Sequence, residues 1–117
     1  MENENVETNP EPVQDQTTEA ISLGGSIELV GFRDLDRSTM VILKKMIGNH
    51  VRKMTEISSD FESISISKKN IHGSNKKVEL HAKAMVAGRP ITRDETDFNI
   101  FFTIDRVLSS LSEELKK

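Results

Sequence analysis

Cations that recur in clusters are the side chains of this sequence best placed to do chemistry. Lys44, Lys45, Arg52 and Lys53 fall in one short stretch. Lys68, Lys69, Lys76, Lys77, Lys83 and Arg89 form a second group in which Glu79 is the only acid, and Arg106 follows later. Long cationic side chains on a rigid surface contact phosphates, and about five to eight such contacts give a useful, salt-dependent affinity for RNA or DNA. About a quarter of the residues of an average domain are charged, so the same residues also describe an ordinary solvated surface. Spacing alone leaves both readings open.

Other chemistries find little support. The histidines, His50, His72 and His81, are far apart and match no metal-ligand spacing such as HExxH. Asp34-Leu35-Asp36 and Asp94-Glu95-Thr96-Asp97 fit helix starts and solvated loops better than a divalent-cation site. Gly24-Gly25 precedes a strand instead of following one, so there is no phosphate loop, and no Ser sits in a GxSxG elbow. The expectation is a protein that is not an enzyme, with no metal, no cofactor and no small-molecule substrate. Base reading is not expected either. There is no Trp or Tyr, most of the Phe residues fall on core stripes, and Phe102, one step off such a stripe, reads as rim packing. Binding by shape and phosphate is the expectation.

The charge is unevenly distributed. The 117 residues carry 16 basic and 19 acidic side chains, a net charge of −3. Residues 1–20 hold six acids (Glu2, Glu4, Glu7, Glu11, Asp15, Glu19) and no base, so that stretch carries −6 and the rest of the chain +3. Its Glu, Asn, Gln, Thr and Pro content offers too little apolar surface to offset the entropy of ordering. Residues 1–25 are therefore read as a disordered acidic tail ending at a Gly24-Gly25 hinge, and 26–117 as one domain. The absence of Cys fits a reducing compartment. No secretory signal and no apolar run near the roughly 18 residues of a membrane span occur. A soluble, cytoplasmic protein is expected.

The elements that must position the cations follow from periodicity. Ser26–Phe32 alternates as a half-buried strand ending at Gly31. A helix capped by Ser38 or Asp36 runs to about Ile57, with Met40, Leu43, Ile47, Val51 and Met54 as its core stripe and Lys44, Lys45, Asn49, Arg52 and Lys53 opposite. Gly48 inside it costs roughly 1 kcal/mol relative to Ala, and marks either a close approach or a tolerated weakness. Phe61–Lys68 and Val78–Val86 alternate cleanly, with a polar loop between them. Ala87-Gly88-Arg89-Pro90 is a turn into a shorter strand, Ile91–Thr96. The last helix, capped by Asn99, aligns Phe101, Ile104, Leu108, Leu111 and Leu115. The order is β-α-β-β-β-α. One apolar stripe per helix and one apolar face per strand are buried together only if both helices lie on one face of a four-stranded mixed sheet, an α+β fold. The first two strands are expected to be parallel, and the other face, with Ser63, Ser65, Glu79, His81 and Lys83, to be wet.

Within this frame the C-terminal half resembles a known family. Val78-Glu79-Leu80-His81-Ala82-Lys83-Ala84, a Gly turn, Ile91, and then Asn99-Ile100-Phe101-Phe102-Thr103-Ile104-Asp105-Arg106-Val107-Leu108 with Leu111 and Leu115 is similar to the short ribosome hibernation-promoting factors (protein Y, ribosome-associated inhibitor A). That family carries an Asp-Met-Tyr-Ala-Ala-Ile-Asp run followed by Asp-Lys-Leu. Asn99 takes the place of its capping Asp, Phe101 of its Tyr, and Ile104-Asp105 of its Ile-Asp. Upstream, Ile27-Glu28-Leu29-Val30-Gly31 resembles the family's first strand and its Gly. His50-Val51-Arg52-Lys53-Met54 resembles the basic end of its first helix. The resemblance spans about residues 26–117.

The sequence also departs from the pattern. Arg93 and Glu95 stand where small core-facing residues are usual, which points to a fourth strand that is shifted, frayed or at the edge. Ser110 replaces a frequent Lys, and the loop before the first helix is longer. The acidic tail is outside the pattern, as in a divergent, archaeal-like branch. The C-terminal dimerisation domain of the long forms is not in the sequence, and a monomer is expected.

The resemblance implies binding to the small ribosomal subunit in the channel where mRNA and tRNA pass, blocking and protecting idle ribosomes through rRNA phosphate contacts. On that reading Lys44, Lys45, Arg52, Lys53 and Arg106 come first, and Lys68, Lys69, Lys76, Lys77, Lys83 and Arg89 second. The alternatives are a module for another structured RNA, or a protein-interaction adaptor using the acidic tail or a sheet edge.

Overall fold

The computed structural model describes residues 20–23, 26–71 and 77–117. In chain order these form β1 (Ala20–Leu23), β2 (Ile27–Val30), α1 (Arg37–Ile57), β3 (Phe61–Asn70), β4 (Val78–Val86), β5 (Arg89–Asp97) and α2 (Ile100–Leu115). The strands form one mixed sheet in the order β1-β2-β3-β4-β5. β2 and β3 are parallel, and every other neighbouring pair is antiparallel. The expected β-α-β-β-β-α order and α+β class hold from β2 onward, and β1 adds a fifth strand.

β1 corrects the reading of residues 1–25 as tail throughout. Ala20–Leu23 pairs with β2, Ala20 opposite Val30 and Leu23 opposite Ile27. Gly-Gly between two alternating apolar runs is a hairpin signal as much as a hinge signal. Residues 1–19 lie outside the described residues.

The core lies between the sheet and the two helices. Leu29 of β2, Ile64 and Ile66 of β3, and Leu80, Ala82 and Ala84 of β4 supply one side. Leu43, Ile47, Val51 and Met54 of α1 and Ile104, Val107, Leu108 and Leu111 of α2 supply the other. These are the stripes that the 3.6-residue period selects, and each fully buried Leu or Ile contributes about 1.5–3 kcal/mol. Phe32, just after β2, is also fully buried.

Local chemistry explains the boundaries. Gly31 sits at φ +82°, and a side chain there would run into the Lys68 carbonyl oxygen, so only glycine fits. Asp36 is the N-cap of α1, and its carboxylate accepts from the Ser38 hydroxyl at 2.9 Å. The Thr39 and Ser38 hydroxyls hold that carboxyl below its ordinary value. Ala87 and Gly88, at φ 54° and 75°, make a tight turn with both central residues in the left-handed region. β3 carries a bulge between Phe61 and Ser63, which lets Phe61 and Ile64 both pack against the core despite odd spacing. Asn99 caps α2 as expected, its side-chain oxygen accepting from the Phe102 N–H at 3.0 Å. Pro90 is tolerated inside β5 because β5 is an edge strand.

No helix among the described residues is long and apolar enough to cross a membrane.

Candidate nucleic-acid interface

α1 carries five cations, Arg37, Lys44, Lys45, Arg52 and Lys53, against one acid, Glu56. All five cations are exposed, and among the described residues none is in an ion pair. At 3.6 residues per turn, Arg37, Val41, Lys44, Lys45, Gly48 and Arg52 fall within roughly 100° of arc that flanks the core stripe, starting beside Val51 and turning outward. Val41, an apolar residue on this arc, is 55% exposed, so no described residue covers it. Lys53 stands apart from the arc. It borders a hollow of about 320 Å³ between the helices, lined also by Met46, Asn49, His50, Asp105 and Ser109. Arg37 was outside the sequence-based candidates, which left the cap open between Ser38 and Asp36. With Asp36 as the cap it is the first helical residue.

The remaining predicted cations among the described residues do not join this face. Lys68 is a correction: its side chain is 2% exposed, and its ammonium lies 3.1 Å from the Asp34 carboxylate and donates to the Asn70 side-chain oxygen at 3.0 Å. Asn70 also donates to Asp34, at 3.3 Å. Burial pushes the Asp34 carboxyl up, but the hydrogen bonds from Asn70 and Lys68 and the Lys68 charge outweigh it and hold the group below its ordinary value. The pair anchors the long loop before α1 to the end of β3. Alternation places Lys68 in the inward register of Ile64 and Ile66, at the rim of the core, but could not reveal the partner, Asp34, that lies 34 residues away.

Arg106 is also spent within the fold. Its guanidinium lies 3.3 Å from Glu95 and 3.9 Å from Asp97, and over the Phe102 ring at 5.3 Å. Arg93 donates to Glu114 at 2.6 Å and to the Ser110 hydroxyl at 3.1 Å. Glu95 and Arg93, unusual on a core-facing register, are thus accommodated because β5 is the edge strand beside α2, and Ser110 is the partner one of them requires.

The second cation group scatters. Lys69 is exposed at the end of β3, with Glu79 directly across the ladder. Lys76 lies outside the described residues. The Lys77 ammonium lies 5.4 Å from the Phe98 ring centroid. Lys83 is exposed on the open sheet face, beside a hollow of about 380 Å³ lined by Glu28, Ser63, Ser65 and Met85 among others. Arg89 is exposed where β5 begins, at the far end of β4 from Lys77, about 30 Å away at 3.3–3.4 Å per residue.

Phe32, Phe61 and Phe101 pack in or against the core, as expected of most of the Phe residues. Phe98 is 59% and Phe102 51% exposed, and each carries a cation over its ring.

Two histidines have structural partners. His50 meets Asp105 at 2.9 Å and ties α1 to α2. On the open face His81 lies between Asp94 at 2.7 Å and Glu79 at 3.2 Å. Among the described residues no group of three His, Asp or Glu is placed to hold a metal ion.

No protein-family model matches the chain, and no curated protein matches it. Solved structures do. The chain is similar to the N-terminal domain of Thermus thermophilus protein Y, at 16% identity and a TM-score of 0.54, over 64% of this chain and 80% of that one. A ribosomal subunit interface protein from Coxiella burnetii aligns at 18% identity and a TM-score of 0.47, over 63% and 78%. The fold is that of the protein Y N-terminal domain, with a free cationic face on its first helix.

Proposed function

We propose that this chain binds the small ribosomal subunit near the mRNA and tRNA channel and silences idle ribosomes by occupying it. One observation carries the reading: on a protein Y-like fold, α1 presents exposed cations that no acid of the described residues pairs with. Unpaired cations on a rigid helix suit phosphate, since no internal salt bridge has to break on binding. The sequence resemblance over residues 26–117 adds to this. Lys44, Lys45 and Arg52, with Arg37, are the primary contacts. Lys53, Lys69, Lys77, Lys83 and Arg89 are peripheral ones, and Arg106 and Lys68 serve the fold. Removing residues 1–19, which carry six acids and no base, is expected to raise affinity by lowering the overall repulsion of a polyanion.

Co-sedimentation with purified small subunits across a salt series tests the proposal. With about four phosphates neutralised, affinity is expected to fall roughly a hundredfold between 50 and 200 mM salt. Absence from small subunits at low salt refutes ribosome binding. Binding undiminished at high salt refutes a phosphate-dominated interface and favours a protein partner. Equal affinity for unrelated structured RNA leaves a general RNA-binding module.

A further inference from the structure

Among the described residues Gly48 meets no neighbour and needs no special backbone conformation, and we infer that it is a contact point: it lets the sugar-phosphate backbone of RNA lie directly against α1 between Lys44 and Arg52. The inference rests on the reading of α1 as an RNA-binding face and names the position that sets how closely the RNA approaches.

Two reasons commonly explain a glycine, and both are absent. Gly31 and Gly88 have positive φ, whereas Gly48 does not and sits in regular helix. A Cβ built at Gly48 would meet nothing within 4 Å. Neither backbone conformation nor packing against a neighbour calls for glycine, although glycine weakens a helix interior and alanine would strengthen it. The close approach left open by the sequence is therefore not made by any of the described residues.

The surroundings indicate what could make it. Lys44 and Arg52 lie one turn before and after Gly48, each about 6 Å along the axis, on the same exposed arc. Lys45 lies three residues before it. The long side chains reach outward while position 48 has none, so the helix backbone is the floor of a notch with cations at its ends. A phosphodiester strand matches this shape and charge. Its oxygens can meet the ammonium and guanidinium groups, while the Cα hydrogens of Gly48 offer weak C–H···O contacts at close range.

The test is a series at this position, Gly48→Ala and Gly48→Leu, measured by melting and by small-subunit co-sedimentation at low salt. Ala is expected to raise the melting temperature by a few degrees yet weaken binding severalfold, with the salt slope unchanged because the cations remain. Leu is expected to reduce binding much further. Greater stability with lower affinity cannot arise from unfolding. Variants that melt higher and bind like wild type overturn the contact and leave Gly48 a tolerated weakness, with the ribosome reading intact. If the wild-type chain itself does not bind small subunits, that reading fails, and the same series on a structured RNA still decides the contact. Sensitivity of binding to an acidic peptide, with none for RNA, overturns the assignment of RNA as the occupant.

Discussion

α1 and α2 pack on the same face of the sheet and use charge in different ways. α1 has five exposed cations and leaves them without acidic partners among the described residues. On α2, Asp105 meets His50, Arg106 meets Glu95 and Asp97, and Glu114 meets Arg93. The difference lies in what each helix must cover. α2 lies over the edge strand β5, whose core-facing register carries Arg93, Glu95 and Asp97, and its charges neutralise them. The outer arc of α1 faces no strand, so its charge is free to act on a partner. Clustered cations are therefore informative only after internal partners have been subtracted.

The largest effect that could break this comparison is on binding. Changing Lys44, Lys45, Arg52 and Lys53 together to Glu is expected to abolish small-subunit co-sedimentation while circular dichroism and melting stay nearly unchanged. Retained binding would mean the wrong helix face had been assigned.

An intermediate effect is expected where a cation serves the fold. Asp34→Asn weakens the hold on the buried Lys68 ammonium and should lower stability at neutral pH by about 1–3 kcal/mol. The Asp34 carboxyl is held below its ordinary 3.8, so its stabilisation is complete above that pH and is lost as pH falls through the lower folded value. The gap between wild type and variant, followed by melting against pH, should close in that acid range. A gap that persists at the lowest pH would show that Asp34 acts by packing.

The smallest effect sharpens the contrast between the helices. Arg106→Gln removes two partly exposed ion pairs, worth about 0–1 kcal/mol each, and should lower the melting temperature slightly with little change in affinity. Lys45→Gln should do the reverse. An affinity loss for Arg106→Gln equal to that for Lys45→Gln, without a change in melting, would return Arg106 to the interface.

Much of the fold was legible because its signals are local. The alternation of Phe61–Lys68 and Val78–Val86, the stripes of both helices and the Asn99 cap depend on spacing within a few residues, and the structure places each as spacing predicts. β1 escaped because four residues beside an acidic stretch give a weak signal, and their strand character depends on pairing with β2. Less of the candidate interface was legible. Lys44, Lys45, Arg52 and Lys53 declare themselves by helical period, but Lys68 and Arg106 look identical to them in sequence.

The sequence by itself determined the two periodicities, hence the order of elements and the faces they bury, because apolar patterning acts on each element separately. Only the tertiary structure decided which charges are neutralised. Lys68 finds Asp34, 34 residues away, and Arg106 finds Glu95 across the joint between strand and helix. Ion pairing depends on a few ångströms of separation in space, and that separation exists only after the helices have docked on the sheet.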